Sequence, residues 1–308
     1  MAHCYSEILL VVWFSFASCY LTLVESIDAG GNTRMDEKNT TLVRPVPWFV
    51  KTQDGGSNII SHYAMWHTVP GKNFGLRAEI SIWDSPNQTE SQESGASLQI
   101  YCQDGGHYNM IEAGFHVSPS LYHNRDVHFF TYWTKDTKSA GCYNLECPGY
   151  VPTTRAALVP GQVITPPSSY GVQDRYVRLS LNKDPNSGDW VVYRHDLETP
   201  SFLGYFPIGL CPNMPVIEAL TGFVNYFNNT QGPPMGSGHF PDFEDSENKI
   251  AYFKHIKKYN SGGHPYDPIL FEMKYLVDRP DCYKLSYPVP ALSRGFIFSY
   301  GGPSGCIG

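Results

Sequence analysis

The sequence has no cluster of lysine and arginine. Its 22 basic residues are outnumbered by 29 acidic ones, for a formal charge of −7, and a surface without a basic patch cannot neutralise a phosphate backbone. Nucleic acid is therefore not an expected partner. Charged residues of either sign make up only 17% of the chain against 42% hydrophobic. That excludes a disordered polyelectrolyte and leaves apolar material for a large core. Helical periodicity is also missing, since no stretch of helix length repeats its apolar residues every 3.6 positions. No internal repeat occurs, and no linker after Lys72 separates two cores. The dinucleotide fingerprint, the Walker A loop and the HExxH helix are absent. The glycine-rich stretches around Ser237 and Ser304 do not form a Gly-x-Ser-x-Gly elbow. The scattered histidines, His107, His116, His128 and His239 among them, lack zinc-ligand spacing. No metal and no cofactor is expected.

What is abundant is aromatic and turn-forming: 21 Tyr, 17 Phe, 28 Gly and 24 Pro, which favours strands joined by tight turns. Strand signals cover Ser61–Thr68, Arg77–Trp83, Ser97–Cys102, Met110–Val117, His128–Thr134, Tyr176–Leu181, Trp190–Arg194 and Gly295–Tyr300. Between them, Asp104-Gly105-Gly106 and Asp184-Pro185-Asn186-Ser187-Gly188 tolerate positive φ and read as hairpin turns. In Tyr176–Leu181 the residues Val177, Leu179 and Leu181 alternate with Tyr176, Arg178 and Ser180, one face dry and one wet. The predicted fold is all-β, two stacked antiparallel sheets forming a single β-sandwich over residues 61–308.

The N-terminus reads as export machinery. An apolar run, Ile8–Ala17, followed by small residues at Ala17 and Cys19, predicts a secretory signal over 1–26, although its first residues carry no Lys or Arg. Its removal takes away Glu7 and Glu25, moves the formal charge from −7 to −5 and leaves no membrane attachment. Residues 27–60 form a short polar arm. Six of the eight cysteines lie outside the signal, an even set that suits an oxidising compartment. Cys142 with Cys147 and Cys282 with Cys306 are the local pairs expected, with Cys102 and Cys211 left by elimination. Sequons at Asn39, Asn87 and Asn228 are glycosylation acceptors if the chain is secreted. The expected location is extracellular or cell wall, with the vacuole as the alternative.

The stretch Ile111–Tyr122 carries the candidate site. Strict alternation puts Ile111, Ala113, Phe115 and Val117 on one strand face and Glu112, Gly114 and His116 on the other. Gly114 leaves a gap beside the acid where another backbone could lie. An isolated glutamate on such a strand is ordinarily a solvated side chain, so the rest of the chain must decide its role.

Further motifs supply that context. IEAGF at 111–115, SPSLY at 118–122, FTYWT at 130–134, GCYN at 141–144, SSYG at 168–171, MGSGHFP at 235–241 and GGPSG at 301–305 follow one another in an order that resembles the plant neprosin-domain family, from about His62 onward. The resemblance implies a secreted two-sheet sandwich with an open peptide-binding cleft. In active members it implies a glutamic peptidase that works in acid and cuts after proline. It places Glu112 on the first catalytic glutamate, with Phe115 where tryptophan is usual. The second acid is expected in the stretch Leu220–Asn225, where Phe223 stands in its place. Glu218 is a weak alternative partner, since it lies on the other strand face unless a bulge intervenes. The long activation propeptide of active members is largely absent from residues 27–60.

Candidates for lining the cleft are Gly114, His116, Tyr132, Trp133, Tyr170, Thr221, Phe223 and Asn225. Three functional readings follow. The first is a secreted protein of impaired peptidase chemistry that binds extended or proline-rich peptide. The second is an active acid endopeptidase using Glu112 with another carboxylate such as Glu218. The third is a non-enzymatic carbohydrate-binding or cell-wall structural protein. Oligomeric state is not legible.

Overall fold

In a computed structural model of the chain, residues 59–307 are described apart from 105–106, 136–140, 213, 242–247, 270–272 and 292–294. The expected signal, most of the arm, Asn39 and the Gly105-Gly106 turn lie outside the described residues. The first half of the chain supplies β1 (Ile59–Thr68), β2 (Gly75–Ser81), β3 (Gln92–Asp104), β4 (His107–Val117), β5 (His128–Thr134), β6 (Cys142–Tyr143) and β7 (Val151–Pro152). There follow β8 (Tyr176–Lys183), β9 (Trp190–Arg194), β10 (Ser201–Phe206), β11 (Val216–Phe227) and β12 (Ala251–Tyr259). The short strands β13 (Pro265–Tyr266), β14 (Met273–Val277), β15 (Lys284–Leu285) and β16 (Val289–Ala291) precede β17 (Gly295–Gly301). A single helical turn, Pro119–Tyr122, ends on His123 in the left-handed region. No helix among the described residues is long and apolar enough to cross a membrane.

These strands form two antiparallel sheets, as the alternation and turn chemistry predict. One has seven strands in the order β14-β1-β11-β3-β4-β5-β6, and the other follows β15-β17-β12-β2-β8-β9-β10-β7 with β13 and β16 paired at its side. The facing sides interdigitate. Leu98 and Ile100 of β3, Ile111 and Phe115 of β4, and Leu220 and Val224 of β11 meet Leu76, Ala78, Val177, Leu179, Leu181 and Phe253 in one buried cluster. Burial on this scale is the dominant favourable term in such a fold. The structure forms Cys102–Cys211, Cys142–Cys147 and Cys282–Cys306, the pairing expected from spacing and elimination.

Periodicity passed over β10, β12 and β14 as well as β11, the longest of the strands it missed. The sequence of β11, VIEALTGFVNYF, is buried almost throughout, because it lies between β1 and β3 and both of its faces are covered. A strand in that position has no wet face to produce apolar–polar alternation. Strand β1 belongs to the sandwich, pairing with β11 and β14.

Candidate functional site

Glu112 lies on the side of the seven-stranded sheet that faces away from the other sheet. On that side a second apolar cluster collects Tyr63, Met65, Tyr101, Met110, Phe130, Tyr132, Tyr143, Ile217, Ala219 and Phe223. Register fixes its neighbours: Glu112 is opposite Gln99 of β3 and Tyr132 of β5, and Gln99 is opposite Ala219 of β11. One row along, Gly114 is opposite Ser97, and Ser97 opposite Thr221. The next row carries His116, Gly95 and Phe223.

The carboxylate is held from β3. Ser97 Oγ donates to Glu112 Oε1 at 2.6 Å and Gln99 Nε2 donates to the same oxygen at 3.0 Å. Gln99 is itself oriented, because its Oε1 accepts from Tyr101 Oη at 2.5 Å and from Thr221 Oγ1 at 3.0 Å. Two hydroxyl donors on one amide oxygen require the NH₂ group to point toward Glu112. Four side chains from two strands, β3 and β11, thus set the position of one acid on β4. The gap expected at Gly114 is filled, since a Cβ there would lie 2.6 Å from Ser97 Cα.

A second polar network occupies the same side further along. His116 Nδ1 and Glu93 Oε1 are 2.5 Å apart, and Asn225 Nδ2 donates to Glu93 Oε2 at 2.6 Å. His116 Nε2 lies 2.8 Å from Tyr122 Oη, and its ring stacks on Phe130 with centroids 4.0 Å apart. Glu93 and Gln99 are six residues apart on β3, about 20 Å at the usual rise per residue. Glu93 is therefore not a one-water partner of Glu112. Phe223 sits between the two networks. Its ring meets Phe130 edge-on at 6.1 Å and lies over Gly95, where a Cβ would come within 2.7 Å of Phe223 Cζ.

Several expectations need correction. Glu112, Gln99, Thr221 and Phe223 are all buried, so this side is not an open cleft in the structure. Phe223, which stands where the second acid was expected, lies in the row of His116, while the row of Glu112 on β11 is held by Ala219. Trp133 packs on the core between the sheets because it alternates with Tyr132. Tyr170 lies in the turn closed by the Ser169–Gln173 bridge and stacks on His239 with centroids 4.0 Å apart. Gly114, His116, Tyr132, Thr221, Phe223 and Asn225 do share the side of Glu112.

Glu218 is also displaced from the role considered for it. No bulge interrupts its pairing with β3, so it points between the sheets, where it accepts from Gly75 N–H of β2 and faces Lys258 Nζ of β12 at 3.8 Å. Burial pushes its pKa up to about 7, offset in part by Lys258 and by the amides of Gly75 and Phe74. Sequence reasoning left Glu93, Ser97, Gln99 and Tyr101 unassigned. Period-two counting along β3 would have put all four on one side, but the pairing of β3 with β4 and β11 is a long-range fact. Among the described residues no group of three or more His, Cys, Asp or Glu side chains is placed to hold a metal ion.

The class these observations define is an all-β sandwich with a buried, side-chain-anchored glutamate on the outer side of one sheet. Residues 90–303 match the Neprosin family model, well over half of the 308 residues, and the chain belongs to that family. Among solved structures it is similar to scytalido-glutamic peptidase with a peptide-based transition-state analogue, at 8% identity over 79% of this chain and 98% of that one, with a TM-score of 0.38. A member of the eqolisin family of peptidases in complex with the tripeptide Ala-Ile-His matches at 10% identity, the same coverage and a TM-score of 0.37. Likeness at that level carries no residue role to this chain.

Proposed function

We propose that this Neprosin-family protein is secreted and that the side of the sheet bearing Glu112 binds extended, proline-rich peptide while its peptidase chemistry is impaired. The observation that carries the reading is Phe223, a buried ring on the side of Glu112, in the stretch where the family resemblance expects the second acid. Hydrolysis by paired carboxylates needs one ionised group to draw a proton from water and a protonated one to donate. A phenyl ring does neither.

Glu218 offers no substitute, being committed between the sheets. The rings of Phe130, Tyr132 and Phe223 suit apolar proline rings and extended backbone. Because Glu112 is buried, binding requires this side of the sheet to open. Secretion is supported by three disulfides and by the exposure of Asn87 and Asn228 at turns.

The test pairs two assays on the purified protein. Acid-range cleavage of a proline-containing fluorogenic peptide is expected to be absent in the wild type and to appear in Phe223→Glu, while titration with an uncleavable proline-rich peptide shows binding. Wild-type cleavage that disappears in Glu112→Gln would overturn the impaired reading. Absence of peptide binding would overturn the rest.

A further inference from the structure

The outer side of the ten-stranded sheet, far from Glu112 in the layering, carries Arg77, a cation with no ion pair among the described residues. Leu76 and Ala78 of β2 face the core, so Arg77 faces outward, opposite Lys257 of β12 and Ser180 of β8. Its cationic neighbours are paired. Arg178 binds Glu79 and Lys257 binds Asp267 at 2.7 Å. Arg77 forms no ion pair with a described acid, and its Nε is buried without a hydrogen-bond partner. In a chain of net charge −7, an unpaired guanidinium on a sheet face is a local exception that calls for an anion.

The groups around Arg77 narrow what that anion belongs to. Ser180 is opposite Tyr193 of β9, and His195 Nε2 lies 2.9 Å from Ser180 Oγ. Burial, then the charges of Arg77 and Arg178, holds the His195 pKa down at about 4, so His195 is a neutral donor or acceptor. The ring of Tyr193 is 5.1 Å from Phe202 and 5.9 Å from His195, continuing an aromatic row beside the cation. Strands β2, β8 and β9 are each paired on both sides, which commits their main-chain groups to the ladders. A peptide backbone finds little to match on such a surface, since peptide strands are normally captured at sheet edges. A sugar needs only side-chain hydroxyl, amide and imidazole partners and an aromatic ring for its C–H face.

We propose that this surface binds an acidic glycan, with the uronate carboxylate taken by Arg77, a neighbouring hydroxyl by the half-buried His195, whose ring the buried Ser180 holds in place, and the pyranose ring laid against Tyr193. The site is independent of the Glu112 side, so it stands or falls apart from the peptide reading. The experiment is calorimetric titration of the whole protein with trigalacturonate, with its fully methyl-esterified form and with triglutamate as comparisons. Trigalacturonate is expected to bind, more weakly as salt rises. The esterified trimer and triglutamate are expected to bind at least about tenfold more weakly, and Arg77→Gln to lose about tenfold or more in affinity. Arg77→Lys keeps the charge without the bidentate fork, and Tyr193→Ala removes the ring. Both are expected to weaken binding with melting temperature unchanged, which keeps the test decisive if Arg77→Gln folds poorly. Absence of trigalacturonate binding, equal binding of the esterified trimer, equal binding of triglutamate, or affinity indifferent to all three variants overturns the proposal.

Discussion

Replacing Glu218 with glutamine should change how stability depends on pH. Glu218 is fully buried on the inner side of β11, accepts from the Gly75 amide and faces Lys258 across the sandwich. Desolvation raises its pKa from the ordinary 4.5 to about 7 against the pull of Lys258 and two amides. A folded-state value above the unfolded one means that the native protein binds the proton more tightly. This contribution to stability is therefore complete below pH 4.5 and lost as pH rises through about 7. At 1.36 kcal/mol per unit, the interval corresponds to about 3 kcal/mol, a large share of an ordinary domain's 5–15 kcal/mol.

Glu218→Gln cannot titrate, so its unfolding free energy should lack that decline, whatever offset comes from the altered environment of Lys258. The assay is urea unfolding of both proteins at several pH values from 4 to 8, read as the difference between the two curves so that other titrating groups cancel. The wild type should lose about 3 kcal/mol relative to the variant across the window. Parallel curves would refute the reasoning and mean that Lys258 and the amides compensate the buried charge completely.

Two further outcomes follow from the packing. Removing Cys102–Cys211, which closes a separation of 109 residues, should cost about 4–5 kcal/mol on loop entropy, whereas removing Cys142–Cys147, with a separation of 5, should cost about 2 kcal/mol. Equal losses in denaturant unfolding would show that the loop-entropy account fails for this fold. Gly95→Ala should lower stability by about 1–3 kcal/mol, because its Cβ would press on the Phe115 carbonyl oxygen as well as on His116 Cβ and Phe223 Cζ. An unchanged melting temperature would mean that β3 and β4 can separate at this point without cost.

The divide between what could be read early and what could not follows the range of the interactions. Period-two alternation is a property of one strand, so residues 111–117 by themselves separated Glu112, Gly114 and His116 from Ile111, Ala113, Phe115 and Val117, and the structure keeps that division. The same local logic anticipated the core-facing residues of β8, the two-sheet architecture and the local cysteine pairs, although Ser180 on the face expected to be wet is fully buried. It could not place one strand against another. That Gln99 rather than Phe223 stands in the row of Glu112, that Glu93 bonds His116, and that Glu218 meets Lys258 across the sandwich all depend on how segments distant in the sequence are set against one another. Register is chosen by burial of whole faces at once. Only the assembled sheets decided which polar side chains would be enclosed together and that Arg77 would face outward with no ion pair to an acid among the described residues.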